Sequence, residues 1–491
     1  MGNTKAGLLE PSEKDRERTI QNSASSSFQV DLDDAEKPQH LPNPRKWVAV
    51  IVISSAASCV TCASSMAGFA EKGVSRDFNV SQEVAILSIS LFIVGLGIGP
   101  LLFGPLSEVY GRNAVYRVSY ALFFIFTFPV AFAPHVGKSL SVFLIFRFMS
   151  GFCGSAFLSV AGGSVSDLFD DHTVASPMAV YTISPFIGPV LGPLLSGFIN
   201  QNLQWRWTYY ILLIWSGLEL VALILLVPET YVPLIVKRKA IRLRSEGESR
   251  YWAPLERQET NLSRAIMISC YRPFQLLLFD QMALLLDLWN AVILGILYLS
   301  FQAFPFIFGD VHGFNTQETG MSFLGIGLGM IIGLSTQPFW NRLYKLEAER
   351  NEGRLPPEAR LIMGKFGGIL VPIGLFWLAF TTYKAVHWIV PIIASVPFGT
   401  GIYFVFTSTF SYMVTAYRPI AASAMAANSA MRSSFAAVFP LFAGAMYHRL
   451  GTVGATALLA GLMALMTPLP FVFYRIGADL RRKSRFAYHD Q

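Results

Sequence analysis

The stretch SPFIGPVLGPLLSGF, residues 184–198, is apolar enough to lie in lipid, yet it contains three prolines and three glycines. In a soluble helix each interior proline removes a backbone hydrogen bond and costs about 3 kcal/mol. Membrane helices tolerate proline because neighbouring helices and polar side chains satisfy the backbone groups that it leaves free. The stretch therefore predicts a bent, closely packed transmembrane helix.

The composition of the whole chain extends this interpretation. The 491 residues are 53% hydrophobic and 14% charged, whereas ordinary soluble domains carry about 25% charged residues. The apolar residues occur in long runs, such as YALFFIFTFPVAF at 120–132, and these runs approach the ~20 residues that cross a bilayer core. The sequence thus predicts an all-α polytopic membrane protein.

Twelve candidate spans form two groups of six on either side of a hydrophilic linker. We expect a disordered N-terminal tail at 1–46, a six-helix bundle at 47–228, the linker at 229–273, a second six-helix bundle at 274–475 and a basic tail at 476–491. The predicted spans lie near 47–69, 84–106, 115–133, 140–161, 178–199, 208–227, 274–303, 319–340, 364–382, 387–413, 421–446 and 452–474.

Lysine and arginine predict the orientation, because cytoplasmic loops are enriched in them. With a cytoplasmic N-terminus, the cytoplasmic segments hold 30 of the 38 Lys and Arg residues and the outer loops hold 6, with Arg147 and Arg432 inside spans. Both termini, and the linker, are therefore expected in the cytoplasm. The net charge of +7 reflects this topology and does not predict nucleic-acid binding. Asn79, in an Asn-Val-Ser sequon of the first outer loop, is a possible N-glycosylation site.

A charged turn, GPLSEVYGRN at 104–113, connects the second and third spans. Gly104 and Gly111 favour a tight turn that holds Glu108 and Arg112 at a cytoplasmic helix end, where such charges can latch one conformation. The segment resembles the loop signature of the major facilitator superfamily, Gly-x-Leu-x-Asp-x-x-Gly-Arg-Lys/Arg. Glu108 occupies the acidic position of that signature, and Asn113 replaces its last basic residue.

Further stretches resemble one group within this superfamily more specifically. RFMSGFCGS at 147–155 is similar to the fourth-span motif of the drug:proton antiporters of this superfamily, and 184–198 resembles their fifth-span motif, Gly-Pro-x-x-Gly-Pro. Phrases such as WRWTYYI at 205–211 and PETYVPLIVKRKA at 228–240 resemble the fungal twelve-span branch, which includes polyamine and multidrug exporters. The resemblance covers the chain from Pro42 to about residue 487. It implies two six-helix bundles around one central site, alternating access and proton antiport.

The fifth-span prolines, Pro185, Pro189 and Pro193, are four residues apart and share one helix face. Gly188 and Gly192 lie beside them and form a Gly-x-x-x-Gly pair that lets another helix approach closely. We expect this span to act as a rocking element between the halves that also seals against leak. The alternative is a kinked helix with a packing role alone.

Charges inside the membrane cost several kcal/mol each unless they are paired or hydrated, so they mark candidate functional residues. Arg147 lies in a motif that the family implicates in proton coupling; the alternative is structural pairing. Glu219 is either a cavity residue or a buried, neutral acid, and Arg432 matches a family position with a structural role. The six charged residues at membrane depth are Arg147, Glu219, Asp280, Asp287, Arg432 and, near an outer end, Asp310.

The seventh span is the most polar. Asp280, Asp287 and Tyr298 fall near one face, and Asn290 lies one turn beyond Asp287. Asp287 is expected near mid-membrane, where substrate sites of this fold lie between the halves. It is predicted to contact substrate, by recognising an amine or donating a proton; the alternative is an internal pair with Arg432 or Arg147.

These observations predict an exporter of small organic molecules, such as drugs, toxins, polyamines or secondary metabolites. The sequence has no nucleotide-binding glycine loop, and no metal cluster or nucleophile–base pair occurs at membrane depth. We therefore expect no enzymatic step, no cofactor and a proton gradient as the energy source. The alternatives are a proton-coupled importer and a sensor with a transporter fold. The expected partners are substrate, protons and lipid, with a monomeric transport unit in the plasma membrane or, alternatively, the vacuolar membrane.

Overall fold

The computed structural model describes residues 28–33, 36–133, 139–170, 173–247, 250–257, 262–351 and 355–486. The first part of the N-terminal tail lies outside these ranges. Apart from one isolated bridge between Gln29 and Trp252, the described residues form helices and their connections. The predicted fold class is therefore confirmed.

The first half contains spans 1 to 6, several of them interrupted at small residues or prolines. The Gly99–Pro100 step, for example, bends span 2 by 41°, because proline removes an interior hydrogen bond. The helices are α1 (Asn43–Ser65) and α2 (Ala67–Phe78) in span 1, α3 (Gln82–Ile98) and α4 (Pro100–Tyr110) in span 2, α5 (Arg112–Phe132) in span 3, α6 (Leu140–Gly154), α7 (Ala156–Ser159) and α8 (Ala161–Leu168) in span 4, α9 (Ala175–Asn202) in span 5 and α10 (Trp207–Leu226) in span 6.

The linker and the second half follow the same pattern. The linker forms α11 (Val232–Ser245), α12 (Pro254–Arg257) and α13 (Leu262–Phe279). The second half contains α14 (Gln281–Phe304) with a π-helical extension (Pro305–Val311) in span 7, α15 (Thr316–Ser322), α16 (Leu324–Ser335) and α17 (Gln337–Arg350) in span 8, α18 (Leu361–Phe380) in span 9, α19 (Ile389–Ala416) in span 10, α20 (Ala421–Met466) in spans 11 and 12, and α21 (Pro468–Lys483) at the end of span 12.

The number of crossings agrees with two groups of six. Ten helices of the described residues are long and apolar enough to cross a membrane, or eleven with the bent span 2. One of them, Ala421–Arg482, has 62 residues and would measure about 93 Å at 1.5 Å per residue, three times the ~30 Å hydrocarbon thickness. Its backbone departs from helical geometry at Gly451, with φ 71°, so this segment provides two crossings.

The halves are in contact at the end opposite the two termini, which we call the outer end. A Cβ atom built on Gly197 of α9 would lie 3.2 Å from the Cα atom of Gly320 in α15. The rings of Phe69 and Phe323 are 6.3 Å apart across the same boundary. Glycine thus permits the close approach of α9 and α15 at this end.

Part of the N-terminal tail packs on the linker, which differs from the expected disorder through residue 46. Val30 and Trp252 share a backbone hydrogen bond of 3.0 Å, and Val30 packs with Val236 and Ala240 of α11. Lys239 lies 2.6 Å from Glu36, and this hydrogen bond raises the pKa of Lys239. The linker therefore presents an apolar face to the tail.

Candidate transport and proton-coupling site

Asp287 lies two turns inside α14 and is 0% exposed. Asn428 of α20, also buried, donates a hydrogen bond of 2.8 Å from Nδ2 to Asp287 Oδ1, while Asp287 Oδ2 has no partner among the described residues. A buried carboxylate loses several kcal/mol of hydration, and one amide donor replaces only part of it. The group is therefore suited to bind a proton.

Arg432 follows Asn428 by about one turn of α20 and lies at the boundary between the halves. Its guanidinium carbon is 5.3 Å from the ring centre of Phe410. Its electrostatic neighbours are Tyr181 of the first half and Tyr298 and Asp287 of the second. Within the described ranges no side chain or carbonyl hydrogen-bonds to its Nε, and no ion pair forms between Arg432 and Asp287. The positive charge thus faces aromatic rings.

Several buried polar atoms around Asp287 also lack a partner in the described part of the chain. They are the amide oxygen and nitrogen of Asn290, one turn along α14, and the amide oxygen of Asn428. Buried polar atoms are normally hydrogen-bonded. The two amides therefore leave hydrogen-bonding capacity unused beside the Asp287 carboxyl.

Tyr298 connects the two halves rather than extending the Asp287 site. Its hydroxyl is 2.7 Å from the Ser64 hydroxyl of α1, and its ring packs on Phe301 at 5.1 Å. Tyr298 lies 11 residues beyond Asp287, or about 16 Å along the helix. The two residues thus act at different depths.

The structure corrects the predicted position of Asp280. Span 7 begins at Gln281, and Asp280 is its N-cap, accepting hydrogen bonds from the backbone N–H groups of Met282 and Ala283. Tyr417 donates a further bond of 2.8 Å. Asp280 thus lies at the end of the helix that is near the termini, because the chain breaks there between α13 and α14, and it does not join Asp287 in one binding face.

Arg147 is held by backbone carbonyls of two other spans. Its Nε donates to Ser88 O at 3.0 Å, and both terminal nitrogens donate to Ala63 O at 3.2 Å. The guanidinium also lies 4.5 Å from the ring centre of Phe92. No carboxylate of the described residues is within ion-pair distance. In this conformation Arg147 joins spans 1, 2 and 4.

Glu219 lies within the first half, against span 1. Ser55 of α1 donates a hydrogen bond of 2.9 Å to Glu219 Oε2, and the residue is 8% exposed. Its neighbours on α10, such as Leu218 at 68% exposed, form an exposed apolar surface on the side of the bundle. The geometry favours a buried acid that packs α10 on α1 over a residue of the boundary between the halves.

The loop after span 2 forms a charge cluster, but with other acids than the sequence suggested. Arg112 Nε pairs with Asp167 at 3.1 Å, and its backbone N–H donates to Glu229 at 3.0 Å. Glu108 is exposed and forms no hydrogen bond or ion pair with any described residue. Gly111 has φ 92°, where a Cβ atom would strike Leu234 at 2.3 Å; a Cβ atom on Gly104 would meet nothing within 4 Å.

The fifth-span motif packs on span 1. A Cβ atom on Gly188 would lie 2.7 Å from Cys62 N, and one on Gly192 would lie 1.8 Å from the Ser65 hydroxyl. Helix α9 is continuous through Pro185, Pro189 and Pro193. Ser184 donates at 2.8 Å to Tyr181 O, the carbonyl that Pro185 leaves free, and Ser65 of α1 donates at 3.2 Å to Gly188 O. The glycines therefore give the expected close approach, within the first half.

A buried pair at the outer end was missed by the sequence reasoning. Gln302 of α14 donates a hydrogen bond of 2.5 Å to Glu71 of α2, and the two residues are 6% and 2% exposed. Glu71 is a single acid in an amphipathic stretch, so no pattern identified it. The remaining predicted outer residues, Asn79 and Asp310, are exposed at that end.

Two bundles of membrane spans that meet at a buried, charged boundary define a membrane transporter. Residues 53–440 match the sequence model of the Major Facilitator Superfamily. The partially occluded inward-open structure of the xylose transporter XylE from E. coli superimposes with a TM-score of 0.62 over 88% of this chain and 98% of that one, at 15% identity. The chain belongs to the Major Facilitator Superfamily.

The most informative sequence relatives are fungal exporters. Efflux pump atB of Aspergillus terreus is 45% identical over 462 residues, which cover 93% of this chain and 88% of that protein. The probable drug/proton antiporter YHK8 of Saccharomyces cerevisiae is 42% identical over 480 residues, 97% of this chain and 92% of that protein. Efflux pump FUBT of Fusarium oxysporum is 37% identical over 461 residues, which cover 93% of this chain and 76% of that protein.

Proposed function

We propose that the protein exports small organic molecules by proton antiport and alternating access. The observation that carries this proposal is the fully buried Asp287 carboxyl, which has one amide partner and lies within electrostatic range of Arg432. The efflux pump and drug/proton antiporter names of the relatives support the same direction of transport. We further propose a monomeric unit in the plasma membrane with both termini in the cytoplasm.

The mechanism uses competition between a proton and a cationic or amine-bearing substrate. When Asp287 is ionised, its charge offsets that of Arg432, and a substrate cation is stabilised by the rings of Tyr181 and Phe410. When a proton from outside binds Asp287, the charge of Arg432 is uncompensated and repels the cation towards the outside. Return to the cytoplasmic side releases the proton and admits the next substrate.

The direct test is substrate accumulation driven by an imposed pH gradient in proteoliposomes. Polyamines, cationic drugs and neutral toxins are screened with the wild type, Asp287→Asn and Asp310→Asn. Asp310→Asn is the matched control because this acid is exposed at the outer end of the same span. We expect accumulation in the wild type and the control and a loss of at least tenfold in Asp287→Asn.

The experiment tests two claims separately: the role of Asp287 in proton coupling and the direction of transport. Accumulation that survives in Asp287→Asn would remove this residue from coupling and direct attention to Glu71 and Glu219. Antiport predicts that substrate accumulates in the acidic compartment, against the direction of proton flow. Accumulation in the alkaline compartment, in the direction of proton flow, would identify a proton-coupled importer and contradict the proposal.

A further inference from the structure

The segment that follows α21 docks on the second half near the terminus. Ser484 Oγ donates a hydrogen bond of 2.5 Å to Asp280 Oδ2, and Tyr417 donates one of 2.8 Å to Asp280 Oδ1. Arg481, in the last turn of α21, pairs with Glu358 at 2.7 Å. The ends of spans 7, 9, 10 and 12 are thus held together by two carboxylates.

Ser484 also follows a run of basic residues, Arg481-Arg482-Lys483. The Arg482 side chain is 80% exposed and lies no nearer than 3.8 Å to its helix neighbour Asp479. Ser484 itself has left the helix and adopts an extended backbone, with φ −76° and ψ 135°. An exposed arginine two residues before an extended serine is a pattern that suits protein kinases with an acidic substrate groove.

We propose that Ser484 is a regulatory phosphorylation site whose phosphate releases the C-terminal segment from Asp280. In the transfer, Ser484 Oγ attacks the γ-phosphorus of ATP and the new O–P bond forms. The bond from that phosphorus to the bridging oxygen breaks, and its electron pair leaves with ADP. The hydroxyl proton passes to the carboxylate base of the kinase.

The effect of the phosphate follows from the contacts of Asp280. Phosphorylation removes the hydroxyl donor and places a charge of about −1.5 to −2 beside the carboxylate. Asp280 also caps α14 through Met282 N at 3.1 Å and Ala283 N at 3.0 Å, so repulsion there weakens the first turn of the helix that carries Asp287. Phosphorylation of Ser484 is therefore expected to affect the Asp287 site through α14, the helix that Asp280 caps.

The site goes beyond the proposed transport function and does not depend on which substrate is exported. It requires that the C-terminal segment lie in the cytoplasm, as the distribution of lysine and arginine predicts. Purification in detergent exposes both faces, so phosphorylation of the purified protein tests the site independently of orientation.

The test treats the purified full-length protein with ATP and a protein kinase that prefers basic residues before serine. Mass spectrometry measures phosphate on Ser484, and hydrogen–deuterium exchange follows the peptides that cover 276–284 and 476–486. We expect stoichiometric modification and at least threefold faster exchange in both peptides of the phosphorylated wild type.

Two variants assign the effect to these contacts. Arg482→Gln is expected to slow phosphate incorporation at least tenfold while leaving exchange of the unmodified protein unchanged. Asp280→Asn removes the repelled charge, so its exchange is expected to be the same before and after phosphorylation. If Asp280→Asn does not fold, the comparison of phosphorylated with unmodified wild-type protein still tests the proposal.

The proposal is overturned by either of two results. One is the absence of phosphate on Ser484 under conditions in which the same kinase modifies a peptide of residues 478–487. The other is a phosphorylated wild-type protein whose 276–284 peptide exchanges at the unmodified rate.

Discussion

Arg147 shows how the chemistry of one residue depends on its partners. A guanidinium has five N–H donors in a planar fork, and here three nitrogens bind two carbonyls while the flat group lies against Phe92. Those carbonyls belong to spans 1 and 2, so the side chain connects three spans of the first half. A lysine carries the same charge but lacks the fork.

We therefore predict that Arg147→Lys lowers both stability and export. Leaving a buried carbonyl without its donor costs about 1–3 kcal/mol, so the thermal unfolding temperature should fall by several degrees and export by at least tenfold. The matched control is Arg117→Lys, since Arg117 binds a single carbonyl, Ile224 O, at an exposed position. Equal behaviour of the two variants would contradict the proposed role of Arg147.

The sequence identified several candidate site residues from their side-chain charge, but it did not identify the residues that they contact. Intramembrane charge alone selected Asp287 and Arg147, because burial of charge is costly whatever the neighbours are. It did not select Asn428 or Glu71, since an amide in a serine-rich helix and an acid near a helix end are common. Asp280 was misplaced because a continuous apolar window hides the break between α13 and α14.

At the scale of elements, span 5 explains why proline and glycine occur at membrane depth. Gly188 and Gly192 bring α9 against α1, and serine side chains of both helices bind the exposed carbonyls. Predicting the glycine contact required only the four-residue spacing. Predicting its partner required the tertiary arrangement, which places span 1 rather than the other half on this face.

We predict that Gly188→Ala destabilises the protein by about 1–3 kcal/mol, the usual cost of overpacking. The added methyl group would meet Cys62 N at 2.7 Å and Ser58 O at 2.8 Å, and backbone atoms cannot rotate away. Thermal unfolding and export are measured beside Gly461→Ala, where a Cβ atom meets nothing within 4 Å. A Gly188→Ala protein as stable as this control would show that the helices can separate without loss.

At the scale of the molecule, the proposed export with cytoplasmic termini requires the two halves to separate at the outer end for substrate to leave. The contacts that join them there include Ser64 with Tyr298, Glu71 with Gln302, and the glycine contact between α9 and α15. The sequence predicted two halves from the number of spans and the placement of the hydrophilic linker. It did not predict which side chains close the boundary, because those pairs are far apart in the chain.

A cross-link across this end should therefore stop transport reversibly. Glu71→Cys and Gln302→Cys are combined in a Cys270→Ser background, because Cys270 is exposed and the other three cysteines are buried. A short bifunctional thiol reagent that reduction cleaves is expected to abolish export, and reduction to restore it. The single Glu71→Cys variant should transport throughout; transport by the cross-linked protein would contradict opening at this end.

The most direct test of proton antiport is the proton movement that a substrate gradient produces on its own. Proteoliposomes are loaded with a substrate found by the screen, diluted into substrate-free buffer at equal pH, and followed with an internal pH dye under a clamped membrane potential. Antiport predicts that the interior becomes acidic as substrate leaves, and that Asp287→Asn abolishes the signal. An interior that becomes alkaline, or substrate efflux without any change in pH, would contradict antiport.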